Sequence, residues 1–183
     1  MQHMEHLLLS EQQFDLTINR LSYELIENFD DFENTVIIGI QTSGAYLANT
    51  ICKQLLLINP DIKLKNGNID VTFFRDDIHH QKSPLLPNTT NINFEIENKN
   101  VILIDDVLYT GRTIRAALDA ILSLGRPKKL ELLVLIDRLY SRQLPIQANY
   151  IGRVVDTLSN EKVVVNWGDN SDKNTVWLKR IQE

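Results

Sequence analysis

The sequence predicts an α/β fold with a central, mostly parallel sheet flanked by helices, and three observations carry that prediction. Apolar runs rich in β-branched residues, TVIIGI at 35–40, VILI at 101–104 and LELLVLI at 130–136, are separated by stretches of helical period. Strands alternating with helices favour parallel pairing through crossover connections. The runs largely lack the apolar-to-polar alternation of a half-exposed strand, so they read as strands covered on both faces. No repeat, coiled coil or low-complexity segment interrupts the order, and 183 residues are the size of one domain, 1–183.

The elements follow in chain order. Ser10-x-x-Gln13 is a capping box, and Phe14, Ile18, Leu21, Leu25 and Phe29 recur behind it at helical spacing, giving a first helix. TVIIGI is a buried strand, followed by the loop QTSG and a helix over about 45–56. In IDVTFFR, Ile69, Val71 and Phe73 alternate on one face and predict a further strand. The polar, proline-containing residues of about 76–100 have no helical period and predict a flexible loop, arm or hairpin. VILID is the next strand, and a helix over 113–124 follows, closed by Gly125 and Pro127. LELLVLID, EKVVVNW and TVWLKRI supply the later strands.

Composition narrows the class of function. A formal net charge of −5 argues against a protein that coats nucleic acid over its whole surface, because that affinity rests on many cationic phosphate contacts. The lone Cys52, in an apolar helical pattern, offers neither a disulfide framework nor a cysteine zinc site, so a reducing, cytoplasmic setting is expected. HLLLS near the start has no cationic flank and is too short for a signal sequence or a membrane span, so neither export nor a membrane is expected.

The stretch VILIDDVLYTGRT, residues 101–113, carries the chemistry. A buried strand delivers Asp105 and Asp106 to its carboxyl end, where open α/β sheets bind ligands. Beyond them, residues 109–112 form a turn in which Gly111 can take a positive φ, and Thr113 can cap the next helix. Amides at such a turn hold a phosphate, while carboxylates accept hydrogen bonds from vicinal hydroxyls. A ribose 5-phosphate satisfies both. A Walker A loop is excluded because Ala45 follows Gly44 and no lysine is present to reach a terminal phosphate. The G-x-G-x-x-G dinucleotide turn and the EF-hand spacing of acids are also absent, and a receiver-like phosphoacceptor would place its acidic pair after the first strand rather than mid-chain.

VILIDDVLYTGRT closely resembles the phosphoribosyl diphosphate motif of type I phosphoribosyltransferases: four apolar residues, two acids, two apolar residues and a short Thr-Gly-Thr-type loop. DDVLYTGRTIRAALDAI, together with FFRDD, LGRP and LPIQANYIG, is similar to the bifunctional pyrimidine operon regulator and uracil phosphoribosyltransferase family, PyrR, over nearly the whole chain. The resemblance implies a type I phosphoribosyltransferase fold with a flexible loop or arm over the active site. It also implies a pyrimidine-salvage reaction, uracil and phosphoribosyl diphosphate to UMP and diphosphate, with Mg²⁺ as cofactor. By the same resemblance, Val107 and Leu108 lead into Tyr109, Thr110, Gly111, Arg112 and Thr113, which hold the 5-phosphate. Asp105 and Asp106 contact the ribose hydroxyls and orient the metal, partly through water or substrate. Gln41, Thr42, Ser43 and Gly44 form the loop that meets the diphosphate, Arg75 adds cationic stabilisation, and Asp137 and Arg138 contribute to the base pocket. Homodimers or higher assemblies are implied as well.

Three departures keep other readings open. The family's first loop usually reads Thr-Arg-Gly, whereas Ser43 stands here in the arginine's place. DRLYSRQLPI, residues 137–146, is one residue longer than its counterpart and lacks the Gly and His found there. Asn19 and Tyr23 occupy first-helix positions where RNA-binding relatives carry Thr and His. Arg112, Arg115, Arg126, Lys128, Lys129, Arg138, Arg142 and Arg153 form either a local cationic face or scattered solvated charges, and the pattern narrowly favours the second. His79 and His80 read as exposed loop residues rather than metal ligands. An enzyme, a UMP-sensing regulator that binds pyr leader RNA, and a phosphoribosyltransferase for another base therefore all stand.

Overall fold

The computed structural model describes residues 5–76, 89–168 and 173–180. Strand β1 (Glu5–Leu9) leads into helix α1 (Glu11–Phe29), which starts at the expected capping box. The Ser10 hydroxyl accepts from the Gln13 amide at 3.4 Å, and the Gln13 side chain accepts from the Ser10 amide at 3.0 Å. Phe14, Ile18, Leu21 and Leu25 form the buried face of α1, as their spacing requires. The wholly buried β2 (Thr35–Ile40) is followed by α2 (Ser43–Ile58), which starts inside the QTSG loop rather than after it.

Then come β3 (Lys65–Ile69), β4 (Asn100–Leu108), α3 (Arg112–Leu124), β5 (Lys129–Arg138) and β6 (Tyr150–Val155). All five strands from β2 to β6 pair in parallel in the order β3-β2-β4-β5-β6. Alternate side chains of the central strands feed two cores. Ile37, Ile102, Ile104, Leu133 and Leu135 pack against α1 and α2, whereas Val36, Ile38, Val101, Leu103, Leu132 and Val134 pack on the face covered by α3. Strands β7 (Glu161–Asn166) and β8 (Thr175–Arg180) do not join this sheet. They form a separate three-stranded antiparallel sheet, order β1-β8-β7, which uses both ends of the described chain. Trp167, after β7, makes an edge contact with Phe14 and stacks on Tyr46, ring centroids 5.8 Å away in each case, and so ties this sheet to α1 and α2.

The structure differs from the sequence reading in places. The strand expected in IDVTFFR lies earlier, at Lys65–Ile69, and shares only Ile69 with it; the Asp70 carboxylate accepts from the Thr72 amide at 2.6 Å and turns the chain into a 3-10 turn, Thr72–Phe74. Phe73, expected on the inner face, is 75% exposed. Within the expected loop of about 76–100, residues 89–94 lie beside β3 and residues 96–99 lie against the connection from α3 to β5. Asn68 and Asn91 exchange backbone hydrogen bonds of 3.0 and 2.8 Å, and Ile96 is buried. His79 and His80 lie outside the described residues.

Candidate active site

The strand order places a crevice between β2 and β4. From β2 the chain continues through α2 on one face of the sheet, and from β4 it continues through α3 on the other. This divergence is a topological switch point, and the loops after the two strands bound the gap. The last register pair of β2 with β4 is Gly39 with Ile104, whereas β4 stays paired with β5 as far as Leu108. Asp105 and Asp106 are therefore held in a strand that has lost one neighbour. The first turn of α2 fills the vacated side. A Cβ on Gly44 would fall inside contact distance of the Ile104 carbonyl oxygen and 3.0 Å from the Asp105 Cα, so only glycine allows this approach. The Gln41–Thr42 peptide bond in the loop is cis.

Two adjacent carboxylates with little water around them cannot both ionise easily. Burial, and then the charge of Asp106, raise Asp105 well above the ordinary carboxylate range. Burial also raises Asp106, against the Val107 amide at 2.9 Å and a hydrogen bond from Ser43, which both favour its ionised form. The Asp106 amide donates to the Asp105 carboxylate at 3.0 Å. The pair therefore retains a proton, on Asp105, to a higher pH than either acid would in water. Serine at 43 thus has a defined part in this chain, as a hydroxyl beside Asp106.

A pocket of about 300 Å³ is lined by Arg75, Asp105 and residues 107–114. It unites the expected phosphate loop with one acid of the pair and with the expected cation. Gly111 has φ 90° and ends the turn as the N-cap of α3, so the cap role expected of Thr113 is not filled and Thr113 lies within the helix. Arg112 reaches out of the loop, pairs with Asp76 and donates through Nε to Gln143 at 2.7 Å. Gln41, Thr42, Ser43 and Gly44 approach the acids from the α2 side and do not line this pocket.

A second cleft, about 360 Å³, lies beside the first and is lined by Asp106, Val107, Tyr109 and Arg138 together with Ser159, Glu161, Lys162 and Val163 around the start of β7. Arg138 is 5% exposed and firmly held. Its Nε donates to the Thr157 hydroxyl at 2.9 Å, one terminal nitrogen donates to the Glu161 carbonyl at 3.0 Å, and the guanidinium lies 4.0 Å from the Tyr109 ring centroid. Asp137 is buried beside it in an ion pair with Arg142. Sequence reasoning missed Asp76, Gln143 and the cleft wall from the second sheet. It noticed Arg142 only as one of a scatter of cations. FFRDD and DRLYSRQ contained three of these residues, but only the fold brings them to the loop.

The chain is similar to known proteins over most of its length. The phosphoribosyl transferase domain family matches residues 7–170. The chain is 40% identical over 166 residues to the bifunctional protein PyrR of Enterococcus faecalis, covering 91% of this chain and 92% of that protein. It is 44% identical over 166 residues to the bifunctional protein PyrR of Pasteurella multocida, covering 88% and 90%. Among solved structures, a hypoxanthine-guanine phosphoribosyltransferase of Bacillus anthracis superposes with a TM-score of 0.70 over 100% of both chains at 19% identity, a likeness of fold. From the switch-point crevice, the acidic pair and its loop, and the relatives that share nearly its full length, this chain belongs to the PyrR family of type I phosphoribosyltransferases.

Proposed function

We propose that the chain transfers the ribosyl 5-phosphate of phosphoribosyl diphosphate to uracil, giving UMP and diphosphate. One observation carries the reading: Asp105 faces the pocket of the phosphate loop, Asp106 faces the neighbouring cleft, and Val107 and Tyr109 line both. A ribose laid across the acids would place its phosphate in the first space and its anomeric carbon toward the second, where a base can wait. In the reaction the anomeric carbon–oxygen bond breaks, and the electron pair leaves with the diphosphate. The uracil nitrogen bonds to that carbon and gives up its proton, which the departing diphosphate or solvent takes up.

The residues divide this work. Residues 109–113 hold the 5-phosphate, Asp105 and Asp106 accept hydrogen bonds from the ribose hydroxyls, and the loop 41–44 and Arg75 stabilise the departing diphosphate. Arg138 and the β7 edge bound the base. The carboxylate pair also fits Mg²⁺. Among the described residues no group of three or more His, Cys, Asp or Glu is placed to cage a metal. Once their proton is released, the two carboxylates are hard oxygen donors that suit a cation taking its remaining ligands from water and substrate. When bound, Mg²⁺ screens the diphosphate charge.

Incubation of purified protein with uracil, phosphoribosyl diphosphate and Mg²⁺ tests the reading. UMP should form, and Asp105→Asn with Asp106→Asn should abolish it; absence of UMP at every Mg²⁺ concentration refutes it. Competition among uracil, orotate, hypoxanthine and guanine distinguishes a related enzyme for another base. A second reading, a UMP-dependent RNA regulator, rests on the bifunctional relatives; Asn19 and Tyr23, which stand on α1 where RNA-binding relatives carry Thr and His, leave Tyr23 50% exposed and Asn19 bordering a groove with Asp15, Leu16, Thr50 and Gln54. A gel shift with pyr leader RNA that appears only with UMP would support it. A soluble homo-oligomer is the companion expectation, and sedimentation tests it; no described helix is long and apolar enough to cross a membrane.

A further inference from the structure

The phosphate loop has a back as well as a front, and the back is built by a segment to which nothing above assigns a part in the reaction. Residues 141–146, after β5, lie beneath the loop. The Ser141 hydroxyl donates to the Tyr109 carbonyl at 3.3 Å, and the Gln143 and Leu144 amides donate to the Thr110 carbonyl at 3.0 and 3.3 Å. The side chains of Leu144 and Ile146 pack under Gly111, where an added Cβ would stand 3.5 and 3.3 Å from them.

Arg142 is the hub of this brace. One terminal nitrogen of its guanidinium donates to the carbonyls of Leu108, Tyr109 and Arg138 at 3.2, 2.5 and 3.1 Å. Its Nε donates to the Ile146 carbonyl at 3.0 Å, and its other terminal nitrogen pairs with the buried carboxylate of Asp137. A single planar fork thus joins the end of β5, its own segment and the phosphate loop. Lysine, with three donors at one point, could not span these acceptors.

The consequence for the loop is directional. With the carbonyls of Leu108, Tyr109 and Thr110 held from behind, trans peptide geometry aims the amides of Tyr109, Thr110 and Gly111 the other way, and all three residues line the pocket. Donors held in place before the anion arrives bind it without reorganisation. We propose that Arg142 is the positioning residue of the phosphate loop: by binding the Leu108 and Tyr109 carbonyls from behind, it sets the amides that receive the 5-phosphate. Asp137 is then its anchor, which orients the fork and neutralises its charge. This assignment rests on the phosphoribosyl-transfer reading, but it concerns the phosphate end alone.

Arg142→Ala and Arg142→Lys test it in the full-length protein, with ribose 5-phosphate as the probe in calorimetry. The alanine variant should bind ribose 5-phosphate about 100-fold more weakly, as expected when a binding group is misplaced by about an ångström. The KM for phosphoribosyl diphosphate should rise with it, while the KM for uracil changes less than about threefold. Hydrogen exchange over 106–114 should quicken about tenfold, with α2 unchanged. The lysine variant should fall between wild type and alanine, and it carries the same test if the alanine variant does not fold. Ribose 5-phosphate affinity within about threefold of wild type, or equal losses for both substrates, overturns the proposal. If wild type makes no UMP yet Arg142→Ala still loses ribose 5-phosphate, the uracil reading fails and the positioning role stands. If wild type binds no ribose 5-phosphate, both fall.

Discussion

Gly44→Ala is the smallest change that should separate the two halves of the crevice. The new Cβ would stand 3.0 Å from the Asp105 Cα and closer still to the Ile104 carbonyl oxygen. Ordinary carbon contacts begin near ~3.5 Å, so α2 and β4 must part by roughly 0.5–1 Å. Neither side can yield cheaply: Ile104 and Asp105 are in the β4–β5 ladder, and Ala45, Leu47 and Ala48 of α2 are buried. Overpacking of this kind costs about 1–3 kcal/mol. For a chain of this length each kcal/mol lowers Tm by about 2–4 °C, so a fall of about 2–12 °C is expected in a thermal scan. The displacement also separates Ser43 from Asp106 and the diphosphate loop from the acids. Product formation should therefore drop about 100-fold while circular dichroism retains the wild-type helix and strand signal. A variant with wild-type Tm and wild-type Mg²⁺ dependence would refute the close approach of α2 to Asp105, and with it the account of how the site is assembled.

The acidic pair has a pH signature. Both acids are raised in the folded protein, chiefly by burial, so the native state holds a proton that the unfolded chain has released above about pH 4. Their contribution to stability is full below that pH and is lost as pH rises through the folded-state values; Asp105→Asn should therefore gain Tm over wild type as pH increases, and a pH-independent difference would count against the shared proton. Arg112→Ala removes an ion pair whose side chains are 48% and 39% exposed, so stability should change by no more than about 1 kcal/mol in urea, while the KM for phosphoribosyl diphosphate rises. Arg138→Ala breaks the buried tether between Tyr109 and the Thr157–Glu161 connection and should cost about 2 kcal/mol, with the larger kinetic effect on the base substrate. Tyr150→Phe leaves buried Glu131 without the hydroxyl that donates at 2.9 Å; it should lower stability by about 1–3 kcal/mol and leave UMP formation unchanged.

The central fold was legible because its strands announce themselves. Thr35–Ile40 is buried at every position, and the apolar runs of β4 and β5 are buried on both faces, so periodicity alone separated them from the helices. The strands that escaped depend on partners distant in sequence. YIGRVV is rich in β formers, but Gly152 and Arg153 interrupt its apolar run; it is held at the sheet edge by β5 and by Arg20 of α1, which donates to the Ile151 and Gly152 carbonyls at 2.9 and 2.7 Å. EHLLL becomes a strand only by pairing with TVWLKR at the far end of the chain. The extent of β4 was underestimated for a related reason. Two aspartates look like the end of a strand, yet the ladder with β5 continues through them to Leu108. That continuation holds the acids rigid instead of leaving them in a turn.

The fate of the cations shows why composition could not decide the regulator reading. Arg138 and Arg142 point inward and hold carbonyls, Arg112 is shared by Asp76 and Gln143, and Arg115 and Lys129 pair with Asp119 and Glu131. Arg153 donates to the Leu8 carbonyl. Arg126 and Lys128 remain exposed in the connection from α3 to β5, at the opposite end of the sheet from the site. Nonspecific affinity for nucleic acid grows with the number of phosphates neutralised, so cations of this group already engaged within the protein contribute less to it. Recognition of RNA by this chain would then fall to the α1 surface around Asn19 and Tyr23, where hydrogen bonding and stacking on an exposed ring act on unpaired bases. Such binding should weaken only gently as salt rises and should be lost in Tyr23→Ala. A steep salt dependence that survives that substitution would instead assign RNA to a cationic face, against the pairing seen here.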